Sequence, residues 1–303
     1  MTPAFLPRTL LAASLAAGMP AFAFAASTVV LPTSMCPHSD PVFASGFEAP
    51  QAIPAQPSLG SGGAYPGDVT RNVSVGGLGT RTYYLYLPDA YTPTHAWPLL
   101  LALHGAGGAG TAPAAAQQAR ADWSAVADVS GFIVLAPVAG GSSGGWIVND
   151  PPGIDDDVAV MAAAIADAEQ AYNIERSRRY VWGFSAGGHV AHAVALNATD
   201  TYAAYGVSAG VLRAATCDVP GDPAAPVCST FLAGVDPKIP LDVHVGTGDS
   251  LYNEAQADRT RLATAGWITA RTLYFVPFSG GHTYTVAQLG EIWNHLCPFA
   301  LAQ

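Results

Sequence analysis

Ser185 stands between two glycines in Gly183-Phe184-Ser185-Ala186-Gly187. It follows the run "RRYVWGF" and precedes "AGGHVAHAVALN". The first segment predicts a strand and the second a helix, with the serine at the turn between them. That is the setting in which a serine becomes a nucleophile, because the tight turn strains its backbone and lifts Oγ out of the sheet. By itself the pattern is weak in a chain with 32 glycines, where a small-residue turn is the competing reading. The flanking strand and helix strengthen it. Ala186 then presents its N–H at a helix N-terminus, which favours developing negative charge.

A serine hydroxyl needs a base, and the base needs an orienting acid. In this setting the chain order is Ser, Asp or Glu, His. His189 and His192 belong to the helix that Ser185 starts, His244 lies inside a predicted strand, and His295 is late in the last helix. His282, in "FSGGHTYT", follows the last strand on a Gly-rich loop and is the expected base. Asp249, in "DVHVGTGDSLY", follows the preceding strand and is the expected acid. Asp242 is at the wrong end of that strand and Asp258 is on the next helix; Asp218 and Asp222 are the next candidates. A second donor to an oxyanion is expected from His104-Gly105-Ala106-Gly107-Gly108, where glycines allow close approach of the backbone. Ala106 is the chosen donor, and His104 is expected to hold the loop by hydrogen bonds. Trp146 is a candidate for lining a substrate cleft, with a packing role equally open. The run Asp155-Asp156-Asp157 is read as a helix N-terminus rather than a metal site. No metal and no cofactor are expected.

These residues need a scaffold that brings strand ends together. "WPLLLAL", "FIVLAPV", "RRYVWGF", "YAAYGVS", "IPLDVHV" and "ARTLYFVPF" read as strands apolar throughout, alternating with helical segments. Such a pattern implies an α/β architecture, a mostly parallel sheet with helices on both faces. "NVSVGGLGTRTYYLYLP" predicts a β-hairpin leading into it. Ligands bind such sheets beyond the carboxyl ends of the strands, where Ser185, Asp249 and His282 fall.

Residues 1–25 read as a secretory signal peptide: Arg8, then an apolar run, then small residues up to Ala25. Residues 26–69, rich in Pro, Gly and Ser, read as an arm or linker, and 70–303 as the catalytic domain. Export suits four cysteines, Cys36, Cys217, Cys228 and Cys297. Three connectivities are possible; Cys217 with Cys228 and Cys36 with Cys297 are expected. A formal charge of −10, with Lys238 the single lysine, argues against nucleic acid. No membrane anchor is expected, and the expected state is a secreted monomer, extracellular or periplasmic.

The motifs "LALHGAGG", "DDVAVMAAAI", "RRYVWGFSAGGHVAHAVA", "YAAYGVSAG", "VGTGD" and "SGGHTYT" together resemble those of the polyhydroxybutyrate depolymerase and feruloyl-esterase-like family of secreted α/β-hydrolases. The resemblance spans about residues 70 to 298. It implies the α/β-hydrolase fold, a Ser185-His282-Asp249 triad and hydrolysis of carboxylic esters through an acyl-enzyme. The chain differs from the family where Ala106-Gly107 replaces a frequent cysteine and Val245-Gly246 a frequent His-Gly pair. It reaches Gln303 without a polymer-binding domain, so soluble or oligomeric esters are the expected partners. A non-catalytic binding protein on the same fold and an exported serine peptidase are the alternatives.

Overall fold

A computed structural model of the chain describes residues 55–63, 66–148 and 156–301. The proposed signal peptide, Cys36 and Asp155 lie outside the described residues.

Eight strands form one sheet in the order β1-β2-β4-β3-β5-β6-β7-β8. β1 (Gly67–Val75) and β2 (Gly79–Leu87) are the expected hairpin. β1 starts three residues ahead of the expected domain boundary at residue 70. β2 runs antiparallel to β4 (Ile133–Pro137). From there through β3 (Trp97–Leu103), β5 (Ile174–Phe184), β6 (Ala204–Ser208), β7 (Leu241–Gly246) and β8 (Leu273–Phe278) every pairing is parallel.

Apolar runs in the central strands have a direct physical reason. Successive side chains of a strand point to opposite faces, and here both faces are covered. In β3, Leu99, Leu101 and Leu103 enter one core, while Leu100 and Ala102 enter the other. The first core is closed by α2 (Asp157–Ala171), α3 (Ala186–Asn197), α4 (Cys228–Gly234) and α5 (Tyr252–Thr264). Tyr172, just past α2, belongs to the same core. The second core is closed by α1 (Ala112–Ser130) and α6 (Val286–Leu296). In it Trp293 stacks on Phe132, with ring centroids 3.7 Å apart.

The described part of the N-terminal arm, residues 55–63, is laid against the start of β5. Ser58 N donates to Ile174 O at 2.8 Å, and Gln56 N to Glu175 Oε1 at 2.7 Å. Cys217 and Cys228 form the expected disulfide. Cys297 is also disulfide-bonded. α4 and a 3-10 turn, Leu212–Ala214, were not expected from the sequence. Both flank the loop that the disulfide closes. No helix among the described residues is long and apolar enough to cross a membrane.

Candidate active site

Four loops at the carboxyl ends of β3, β5, β7 and β8 converge. At the end of β5, Ser185 adopts φ 53°, ψ −118°. A side chain rarely occupies that region, and the strain persists only because neighbours enforce it. They do so through the two glycines. A Cβ on Gly183 would lie 2.0 Å from Gly187 O, and one on Gly187 2.1 Å from Leu103 O. Strand, turn and helix therefore approach closer than any side chain permits. Ser185 N donates to Ser208 O at 2.9 Å, which ties the turn to β6.

His282 Nε2 is 2.7 Å from Ser185 Oγ, and His282 Nδ1 is 2.8 Å from Asp249 Oδ2. The three residues expected from chain order are thus linked in series. The Asp249 side chain is fully buried. Its second oxygen, Oδ1, accepts from Leu251 N at 2.9 Å. The loops carrying acid and base are bound to each other by their backbones: Gly248 N donates to Gly280 O, and Thr247 N to Phe278 O, each at 2.8 Å. A Cβ on Gly246 would lie 2.3 Å from Gly281 O, which explains why the end of β7 carries glycine.

After β3, His104 Nε2 accepts from Ala139 N at 3.2 Å, so its proton is on Nδ1, which donates to Gly105 O at 2.8 Å. Burial lowers its pKa and keeps this pattern uncharged. His104 holds the loop, as expected. Among the described residues the Ala106 N–H makes no backbone hydrogen bond. Ala186 is the first residue of α3, so its N–H has no helical carbonyl four residues back to bond. Both donors remain available.

Trp146 both packs and lines a cleft. Its Nε1 donates to His104 O at 2.8 Å, and its ring lies on the His104 imidazole with centroids 4.8 Å apart. It also borders a cleft of about 350 Å³. Along one side run Ala186, His189 and Asn197 of α3; Val219 and Phe231 lie among the other lining residues. Its lining on α3 runs from Ala186, the residue after Ser185, to Asn197 at the end of the helix.

The acidic run behaves as sequence predicts at Asp156, whose side chain caps α2 through Val158 N and Ala159 N. Asp157 does something the sequence did not reveal. Its carboxylate is buried, pairs with Arg81 at 2.8 Å and accepts from Gly140 N and Ile147 N. It therefore shapes the loop that presents Trp146. His189 is not placed as a base, yet it borders the cleft, which sequence reasoning missed. The only available signal was its position one helical turn after Ser185. His192 is buried against Tyr205, and burial lowers its pKa to about 3. Asp242 sits at the far end of β7, hydrogen-bonded by His295 and 3.1 Å from His244.

Strand order, helices on both faces and the strained serine define an α/β-hydrolase. No family model matches the chain. It is 28% identical over 241 residues to a probable feruloyl esterase C of Aspergillus terreus, covering 73% of this chain and 82% of that protein. Feruloyl esterase B of Neurospora crassa is 33% identical over 135 residues, 43% of this chain and 44% of that protein. A solved ferulic acid esterase superposes with a TM-score of 0.60 at 19% identity, over 77% of this chain and 98% of that one. The chain has the α/β-hydrolase fold and is similar in sequence to feruloyl esterases, the likeness its motifs anticipated; the resemblance to polyhydroxybutyrate depolymerases has no support in these relatives.

Proposed function

We propose that the protein is a secreted carboxylic ester hydrolase working through Ser185, His282 and Asp249, with an elongated, aryl-bearing acyl group of the feruloyl kind as its preferred cargo. The observation that carries this is the Asp249–His282–Ser185 hydrogen-bond series opening beside the Trp146 and Phe231 cleft.

Ser185 Oγ attacks the ester carbonyl carbon as its proton passes to His282 Nε2. Asp249 holds His282 with Nδ1–H toward itself and stabilises the imidazolium. Negative charge on the carbonyl oxygen is met by the N–H groups of Ala106 and Ala186. The alcohol leaves with the proton from His282. Water, deprotonated by His282, then attacks the acyl-enzyme and frees the acid. The Cys217–Cys228 bridge suits an oxidising compartment, in line with the expected signal peptide.

A panel of methyl ferulate, hydroxybutyrate oligomers, acetylated xylan and simple acyl esters tests the reading. It expects methyl ferulate to have the highest kcat/KM of the set. Turnover of acetyl and hydroxybutyrate esters with methyl ferulate untouched would overturn the acyl assignment and leave the esterase assignment standing.

A further inference from the structure

His189 has a use that the triad does not absorb. It lies four residues after Ser185 in α3, and side chains one turn apart stand about 5–6 Å apart at Cβ. A helical side chain leans back over the turn that precedes it, which here is the turn bearing Ser185. The half-buried imidazole borders the cleft. Its Nδ1 accepts from Val211 N at 2.9 Å. A ring nitrogen that accepts carries no proton, so Nε2 must carry it in the neutral ring. That Nε2–H has no hydrogen-bond partner among the described residues, and the nitrogen is not sealed off from solvent. Burial, and then the nearby His282, lower the His189 pKa, so the neutral form prevails at neutral pH. The outcome is a fixed donor in the cleft wall, one helical turn from the serine that attacks the scissile bond.

We propose that His189 is a specificity-determining residue whose Nε2–H donates to a hydroxyl or ether oxygen lying within about three bonds of the scissile ester. The inference rests on the ester-hydrolase reading. A donor fixed in the cleft wall loses its hydration when the cleft fills. A substrate that offers no acceptor leaves it unpaired, which costs more than a hydrogen bond gains. The acceptor has two sources, the acyl chain or the alcohol, and the same donor chemistry serves either.

Matched ester pairs separate them. 4-Nitrophenyl 3-hydroxybutyrate against 4-nitrophenyl butyrate tests the acyl side. 2-Hydroxyethyl ferulate against propyl ferulate tests the alcohol side. Each kcat/KM ratio is divided by the ratio of hydroxide-catalysed rates. The wild type is expected to favour the oxygen-bearing member about 10-fold or more in one arm. His189→Leu brings that ratio to within about twofold. His189→Gln, whose amide keeps an N–H, retains part of the preference. Loss of the acceptor for Val211 N lowers the stability of His189→Leu, so the wild-type ratios stand as an independent reading. Wild-type indifference in both arms would overturn the proposal, as would an unchanged ratio in folded His189→Leu. A wild type that cleaves none of the four esters would remove the ester reading itself, an outcome distinct from cleavage without discrimination.

Discussion

The Tyr284 hydroxyl donates to Asp122 Oδ2 at 2.6 Å, across 162 positions of sequence. This bond ties the loop carrying His282 to α1. Burial, reinforced by Asp122, raises the phenol pKa far above its ordinary value, so the proton stays on the donor. The ring also packs edge-on against Trp182 and Phe184, and Phe184 lies 5.1 Å from the His282 ring. Tyr284→Phe keeps these ring contacts and removes only the tether. It should lower kcat about 3- to 10-fold with KM nearly unchanged, because misplacement of the base affects the chemical step. Steady-state kinetics on 4-nitrophenyl butyrate checks this; a rise in KM alone would contradict it.

Asp157→Asn should cost about 3–5 kcal/mol, since it leaves the largely buried Arg81 without its charged partner. The loop from Gly140 to Ile147 loses an anchor, so the Trp146 wall loosens. Denaturant unfolding measures the first effect. A KM that rises more for methyl ferulate than for an acetyl ester measures the second.

How much of this was legible beforehand differs by element. Ser185, Asp249 and His282 could be chosen because each directly follows a strand whose apolar run marks its end, and chain order then removes rival residues. Coverage of both sheet faces was legible from runs such as "LLLAL", which are apolar on both sides of the strand; strand registers were not, because such runs carry no alternation to set them. α4 was not legible. Its seven residues, Cys228–Gly234, are too few to show helical periodicity, and the preceding prolines read as loop. The Arg81–Asp157 pair joins residues 76 apart, and no local pattern announces such a contact. Asp242 was set aside as the acid because it lies at the start of its strand, but its link to His295 depends on how α6 packs across the sheet.

The Cys217–Cys228 bridge closes the loop carrying Val219, Asp222, Ala225 and Pro226, all of which line the cleft. Replacing both cysteines by alanine should cost about 2–4 kcal/mol of stability. It should also raise KM for methyl ferulate while leaving kcat on 4-nitrophenyl acetate close to wild type, because the triad lies on other loops. Equal loss on both substrates would show that the bridge supports the whole fold instead.

Asp242 makes stability depend on pH. Burial opposes its charge, but the close His244 imidazole and the hydrogen bond from His295 outweigh burial and hold its pKa below the ordinary value. A carboxylate with a depressed folded-state pKa contributes stability that is present above its unfolded pKa of about 3.9 and is lost as pH falls through the folded value. Asp242→Asn should therefore be less stable than wild type at pH 7. The gap should narrow as pH falls below about 4. Melting temperatures of the two proteins from pH 7 to pH 3 test this; a gap that stays constant would contradict it.

Asp249→Asn should fold, because the change is isosteric and lies on a loop. It should lose about 10⁴-fold in kcat, since an amide cannot stabilise the His282 imidazolium and can turn the ring to the wrong tautomer. Near wild-type turnover by a folded variant would move the acid elsewhere, with Asp218 and Asp222 the next to test.

The most direct test of the account is 4-nitrophenyl butyrate turnover by wild type and by Ser185→Ala, each shown to be folded by circular dichroism. Wild type should release a burst of nitrophenol with one acyl group bound at Ser185, seen by intact mass and peptide mapping. Ser185→Ala should show neither burst nor adduct and should fall to the floor set by binding and the oxyanion donors, with Ser185→Ala/His282→Ala no slower. Sustained turnover by Ser185→Ala, or a wild type that hydrolyses no ester, would contradict it.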